Sequence, residues 1–435
     1  MGGFVRDTLL GLPCGDCDVE VYGLSMEKLL SVLGTFGKPN LVGKSFGVIT
    51  MVLDNRVYDF AFPRMESKTG IGHRGFSVTP DPGLNFAAAS SRRDFTINAM
   101  GFHLPDLALV DFHGGQEDLR RKILRHVSPA FSEDPLRALR AVQFAARFDL
   151  DIHPTTQRLC AEQPLEELPK ERLFGEFVKL LLRAEKPSSG LEWMRRLGML
   201  RYFPELLALV GVPQEAEWHP EGDVWTHTLM AVDQAARLKT SEYSEGENLA
   251  LMFGVLCHDL GKPAATAHSE GRWRSPGHDT AGDVPTRRFL ARLTQDIDLT
   301  ESVVALVREH LRPALLHKAR NEIKPGAIRR LALRVDIAKL VRAAKADHLG
   351  RTDEEAMLGI FPAGDWLMEQ SSRLHVLDQK PKPYLTGKFL LSIGMQPGPE
   401  MGRIIQESFE LQLEGDLADV GQAEKWARKK AKPST

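Results

Sequence analysis

Four cysteines in 435 residues, Cys14, Cys17, Cys160 and Cys257, are too few for a disulfide framework, which excludes a small scaffold held together by cross-links. No apolar run approaches the roughly 18 residues of a membrane span, and no leader of the secretory type opens the chain. A reducing, cytoplasmic setting with no membrane partner is therefore expected. Aromatic residues are scarce at 7%, and net charge is nearly absent: 56 Lys+Arg against 58 Asp+Glu leave a formal charge of -2. A nucleic-acid partner would have to be met by local basic patches, not by a global positive field. Internal repeats are lacking too. The Cys14-x-x-Cys17 spacing suits a zinc knuckle, but no second pair accompanies it, so no zinc site is read there.

What is present is ordinary globular material, 43% hydrophobic and 26% charged, enough for roughly three units of about 150 residues. Strand patterns cluster early, at 18–21, 47–53 and 57–62, the last two forming a hairpin on Asp54-Asn55, with a helix over 25–36. Residues 66–91, rich in Gly, Ser and Pro, read as a long loop. A short strand at 109–111 follows, and beyond residue 118 the periodicity is helical, notably over 135–148, 172–182 and 249–260. The fold class is α+β, with strands confined to the first part of the chain. A basic patch for a polyanion is expected from Arg120, Arg121, Lys122, Arg125, Arg140 and Arg147.

Chemistry concentrates in two places. A glycine pair, Gly2-Gly3, opens a helix that carries Arg6, and Asp16-Cys17-Asp18 begins a strand. Carboxylates at i and i+2 on a strand share a face and can hold Mg²⁺, and a glycine-opened helix offers free N–H groups to a triphosphate. Taken singly, each is also an ordinary strand end or turn. Arg92-Arg93-Asp94 with Asn98 could grip phosphates and a ribose, or be a charged helix cap. Asp134 and Arg137, either side of a helix start at Pro135, could face a base or form a cap with its salt bridge.

In order, GGFVRDTLLG (2–11), DCD (16–18), RRDFTINA (92–99), DFHGG (111–115), EDPLR (133–137) and KERLFGE (170–176) resemble the motif series of the bacterial class II tRNA nucleotidyltransferase and poly(A) polymerase family. That resemblance implies a polymerase-β-like nucleotidyltransferase head with a small mixed β-sheet, followed by all-α neck, HD and tail domains. It implies that Asp16 and Asp18 bind catalytic Mg²⁺ and that Gly3 and Arg6 contact the incoming triphosphate. Arg93 and Asp94, with Asn98, would bind phosphate or ribose. Asp134 and Arg137 would read the Watson–Crick edge of the base, assisted by Arg140. Asp59 would be a third carboxylate, Arg64 and Glu66 also match, and residues 66–91 would be the loop that switches specificity from C to A. Gln143 stands where relatives often carry arginine. In the family a strand precedes the glycine pair; here it would lie before Met1, so either an upstream start or weaker triphosphate binding is expected.

Farther on, His227, His258-Asp259 within HDLGK (258–262), and Asp347 lie on separate helices and can converge on one metal such as Ni²⁺ or Mn²⁺. This series resembles an HD-type phosphohydrolase, in which His278 and His310 would be additional ligands. The boundaries read are 1–125 for the head, 126–190 for the neck, 191–358 for the HD domain and 359–435 for a helical tail. The implied activity is template-independent addition of CCA to the tRNA 3′ end from CTP and ATP. Phosphatase or 2′,3′-cyclic phosphodiesterase activity would reside in the HD domain. Within the family the alternatives are a poly(A) polymerase or an enzyme adding only CC or only A; outside it, an HD phosphohydrolase with an RNA-binding head.

Overall fold

A computed structural model describes residues 1–42, 48–68, 76–81, 83–377 and 379–431. The chain forms two compact units, Met1–Phe203 and Pro204–Thr435.

The first unit opens on helix α1 (Gly3–Leu9). Strands β1 (Cys17–Glu20), β2 (Asn40–Val42), β3 (Val48–Leu53) and β4 (Arg56–Ala61) form a four-stranded sheet in the order β1-β4-β3-β2. β1 runs parallel to β4 while β3 pairs antiparallel with both β4 and β2, so the sheet is mixed. The β3–β4 hairpin turns on Asp54 and Asn55, both with positive φ (48° and 60°), as a two-residue turn matching strand twist requires. Helix α2 (Met26–Leu33) is capped by Ser25, whose hydroxyl accepts from the Lys28 N–H. Its Leu29 and Leu33 bury against Ile49, Met51 and Phe62 of the sheet.

Residues 66–91 correct the expectation of an unstructured loop. β5 (Arg64–Lys68) pairs antiparallel with β6 (Phe76–Pro80), and Phe86–Ser90 is helical; the low apolar periodicity hid a hairpin. Positions 69–75 and 82, and the side chains of Arg64 and Glu66, lie outside the described part of the structure. After the hairpin strands Gly101–His103 and Ala108–Val110, the unit turns helical. The Leu136–Phe148 helix packs against those at Lys170–Arg183 and Pro187–Arg196. Gly190 permits that approach, since a Cβ there would meet Leu180 at 2.5 Å.

In the second unit the Glu245–Cys257 helix starts with a Ser244/Glu247 capping box and is buried from Asn248 to Cys257. An axis apolar on all sides belongs at the centre of a bundle, and the Val224–Arg237, Ile297–Glu309 and Ile337–Leu349 helices pack on it. The expected all-α character needs one correction. A hairpin, Ala267–Ser269 with Arg272–Arg274, interrupts the helices; its residues are all exposed, so it carried no core periodicity. The last helices, Pro399–Glu414 and Val420–Lys430, enclose a small core of Leu385, Leu390, Ile404 and Ala423. They join the bundle through Arg330, which pairs with Glu410 at 3.2 Å and also with Glu414. No helix among the described residues is long and apolar enough to cross a membrane.

Candidate active sites

A cavity of about 550 Å³ opens in the first unit. Its sheet wall carries Asp18 and Asp59, which face each other in register because β1 and β4 are parallel. Thr50 Oγ donates to Asp59 Oδ1 at 2.6 Å, fixing that carboxylate. Asp18 is open to the cavity. Even so, the surrounding wall desolvates it, and the negative charges of Asp59 and Asp16 add to this, so its carboxyl is pushed up despite the opposing Met1 amine and Arg93. Carboxylates that repel one another on one sheet edge suit a hard, oxygen-seeking cation such as Mg²⁺. Asp16, one position ahead of β1, is exposed.

The opposite wall comes from the RRDFTINA and EDPLR segments. Asp94 is the hub. Its Oδ1 accepts from the Phe95 N–H at 2.8 Å and from Asn98 Nδ2 at 3.1 Å, and Oδ2 accepts from Arg140 Nε at 2.8 Å. Burial alone would push this carboxyl up; Arg140 and the hydrogen bonds outweigh burial and hold it below its ordinary value. Asp94 is therefore a buried charge bridging the head to the Leu136–Phe148 helix, not a helix cap. Arg6 does not reach the cavity wall. It is buried, donates to Asn98 Oδ1 at 2.6 Å and to Asp7 at 2.8 Å, and stacks over Phe148 at 4.4 Å. Gly3 begins that helix away from the wall. Gly2, with φ 62°, has no room for a side chain: a Cβ would meet Arg93 at 2.7 Å. At Gly115 of the DFHGG segment a Cβ would likewise meet the Thr96 carbonyl oxygen, at 2.2 Å.

Asp134, just before the Pro135 N-cap of the Leu136–Phe148 helix, accepts the Leu136 N–H at 3.1 Å. Its partner is not Arg137 but Arg172 of the KERLFGE segment, at 2.8 Å. Arg137 instead donates to the carbonyls of Ala130 and Arg92 at 2.7 and 3.0 Å, which fixes its guanidinium at the rim. Asp134, Arg137, Arg140 and Arg172 all line the cavity. Arg172 carries no sequence signal of this role, because its partner Asp134 lies 38 positions away and only helix packing brings the two together. Gln143 is buried with an unpartnered side-chain oxygen.

The expected basic patch is mostly neutralised. Arg120 and Arg121 pair with Glu117, Lys122 with Asp149, Arg125 with Asp118 and Arg140 with Asp94. Arg120 is the last residue of the Gly115–Arg120 helix. Acidic neighbours three to seven positions away account for most of this pairing.

In the second unit, the donor atoms of His227, His258 and Asp259 lie within 4.8 Å of one another, as do those of Asp259, His278 and His310. Nδ1 of His258, His278 and His310 donates to the carbonyl three residues back (Val255, Ser275, Val307) at 2.6–2.8 Å. That fixes the tautomer and leaves each Nε2 lone pair turned inward. The Nε2 atoms of His278 and His310 face each other at 3.3 Å. His227 sets Nδ1 on Glu221 at 2.8 Å and turns Nε2 toward Asp347 at 2.9 Å. His258 Nε2 and both Asp259 oxygens are buried without hydrogen bonds of acceptable geometry, although Lys262 Nζ stands 2.8 Å from Asp259. Inward-facing lone pairs and buried carboxylate oxygens that lack a hydrogen bond, with the Lys262 ammonium beside Asp259, fit a bound metal cation. Burial lowers His310 to about 4, whereas Asp259 and Asp347 outweigh burial and raise His258. Glu221, which holds His227 in place, carries no local sequence signal, because packing alone brings it onto His219 and His227.

Fold and donor sets define a metal-dependent nucleotidyltransferase head joined to a metal-dependent phosphohydrolase bundle. Residues 1–125 match the poly A polymerase head domain, 149–209 the probable RNA and SrmB-binding site of polymerase A, and 224–353 the HD domain. The multifunctional CCA protein of Xylella fastidiosa (strain 9a5c) is 37% identical over 390 residues, covering 86% of this chain and 88% of its own. That of Xanthomonas campestris pv. campestris (strain B100) is 36% identical over 420 residues, covering 93% and 95%. The chain belongs to the multifunctional CCA protein family. The crystal structure of Bacillus stearothermophilus CCA-adding enzyme in complex with CTP shares the fold, with a TM-score of 0.66 and 22% identity over 99% of this chain and 93% of that one.

Proposed function

We propose that the chain adds C, C and A to the tRNA 3′ end from CTP and ATP. The observation that carries this reading is the pair Asp18 and Asp59, in register on one wall of a cavity whose other wall bears Asp134, Arg137 and Arg172. Asp16, Asp18 and Asp59 would hold Mg²⁺, which when bound supplies Lewis acidity to the primer hydroxyl and the leaving pyrophosphate. Arg93 and Arg140 bind the phosphates and ribose, with Asp94 and Asn98 holding them. Gly3 opens the helix that carries Arg6, and Arg6 acts on the triphosphate end only through Asn98. Asp134 offers acceptors and Arg137 donors to the edge of the incoming base, so selection needs no nucleic-acid template. Positioning of the 3′-hydroxyl against the α-phosphorus is the protein's main contribution.

In the HD domain, His227, His258, Asp259 and Asp347, joined by His278 and His310, would hold a transition metal such as Ni²⁺ or Mn²⁺ that activates water. This domain hydrolyses phosphomonoesters or 2′,3′-cyclic phosphates at RNA 3′ ends. The domain division proposed is 1–125, 126–190, 191–358 and 359–435, and the setting is cytoplasmic.

Incubation of the pure protein with tRNA ending at the discriminator base, in C or in CC, with CTP and ATP singly and together, tests the reading. Sequenced products should end in CCA; long tails of A alone would overturn it.

A further inference from the structure

The cavity over the HD metal ligands measures about 330 Å³, far more than a phosphate fills and within the range that encloses a small organic ligand. Asp259, His278, His310 and Asp347 form its inner surface. Lys262 and Arg351 add cationic groups to the lining, and the buried Nε of Arg351 has no hydrogen-bond partner. Those groups account for an anion. They leave Trp218 and Trp273 unexplained, indoles that line the same cavity while 56% and 39% exposed.

Trp273 is held firmly. It sits on the Ala267–Ser269/Arg272–Arg274 hairpin, whose turn residues Glu270 and Gly271 both have positive φ (52° and 77°), the geometry of a tight two-residue turn. His268 packs edge-on against the indole at 5.0 Å. The Trp273 backbone N–H donates to Glu215 Oε2 at 3.0 Å, and Arg272 pairs with Glu217 at 3.0 Å. Both acids belong to the segment that carries Trp218. The hairpin is thus tied to that segment, and both indoles line one cavity.

We propose that Trp218 and Trp273 are the stacking platform for the base of a phosphorylated terminal nucleoside, whose phosphate lies toward Lys262, Arg351 and the metal ligands. The inference rests on the phosphohydrolase reading of this domain and adds to it the residues that would favour a nucleotide, free or at an RNA 3′ end, over phosphoesters without a base. Indole faces stack on any base, so the platform favours a nucleotide without choosing which.

The probes are 3′-AMP and glycerol 2-phosphate, a phosphomonoester with no base. Tryptophan fluorescence of the metal-free protein should be quenched by 3′-AMP, and Trp273→Ala should weaken that binding about tenfold, the size expected for one lost stacking face. Trp273→Phe should restore most of it. With Mn²⁺ added, the preference in kcat/KM for 3′-AMP over glycerol 2-phosphate should fall by a similar factor in Trp273→Ala and in Trp218→Ala. Unchanged affinity and unchanged preference in the double Trp218→Ala/Trp273→Ala variant, with both esters still hydrolysed, would overturn the platform alone. A wild-type protein that neither bound nor hydrolysed either ester would overturn the platform together with the reading beneath it.

Discussion

Asp18 and Asp59 stand opposite each other on adjacent parallel strands, and Thr50 on the next strand pins Asp59 through a 2.6 Å hydrogen bond. The separation in sequence is large, but the register makes them one acidic edge. Asp59→Ala is therefore expected to cut nucleotide incorporation into tRNA at least about a hundredfold, as loss of a group acting on developing charge does, and Asp18→Ala should do the same. Both should keep the wild-type unfolding temperature within a few degrees, because Asp18 is exposed and its removal relieves repulsion. Incorporation of labelled CTP under single-turnover conditions measures the effect; an Asp59→Ala variant of wild-type rate would remove Asp59 from the site.

The Asp94–Arg140 pair predicts an acid-sensitive head. Asp94 is buried, and Arg140 with the hydrogen bonds from Asn98 and Phe95 holds its folded carboxyl below the ordinary value of about 4. A depressed folded pKa contributes stability that is fully present above the unfolded value and is lost as pH falls through the folded one. Asp94→Asn should cost about 2 kcal/mol at pH 7, since Arg140 loses its countercharge. The gap between variant and wild type should stay constant from pH 8 to about 5 and close below about 4. Urea unfolding across that range reads it, and a gap that widened in acid would contradict the assignment.

The hairpin on Asp54-Asn55 and the amphipathic 135–148 helix were legible because their signals are local: turn chemistry and 3.6-residue periodicity. The clustering of His227, His258 and Asp259 was legible for a different reason, since neighbouring His258 and Asp259 form a dyad that packing rarely demands. Arg6 illustrates what was not. Its place in a phosphate-binding motif suggested contact with the triphosphate, yet Asn98, 92 positions away, and the ring of Phe148 draw it inward. Glu221 and Arg172 were hidden similarly, each acting on a partner that only tertiary packing brings near. The β5–β6 hairpin escaped because β5 holds a single apolar residue, Met65, and β6 ends on a proline.

Arg172 holds Asp134 from the neighbouring helix at 2.8 Å, and both lie at the cavity wall. If Asp134 presents acceptors to the incoming base, Arg172 fixes their direction. Arg172→Ala should raise KM for CTP and ATP about tenfold with a smaller change in kcat, the pattern of lost positioning, and should increase misincorporation when the two nucleotides compete. Arg172→Lys, which keeps charge but not the planar fork, should recover affinity only in part. Equal kinetic constants for wild type and Arg172→Ala would show the ion pair to be structural only.

The second unit should carry its metal as part of its fold. Nε2 lone pairs of His258, His278 and His310 converge with Asp259 because each Nδ1–H is already committed to a helix carbonyl. Without a cation these acceptors repel; with one, binding selects the folded state and adds stability by mass action, about 2.7 kcal/mol at a free concentration a hundred times Kd. Removing metal with a chelator should lower the unfolding temperature of this unit by about 5–10 °C, and Mn²⁺ or Ni²⁺ should restore it. His258→Ala should lose the bound metal, measured by plasma mass spectrometry, and become insensitive to chelator. Asp18→Ala, altered in the other unit, should retain both the metal of the HD bundle and its stabilisation. Full metal content in His258→Ala would show that the inward-facing imidazoles serve packing and not coordination.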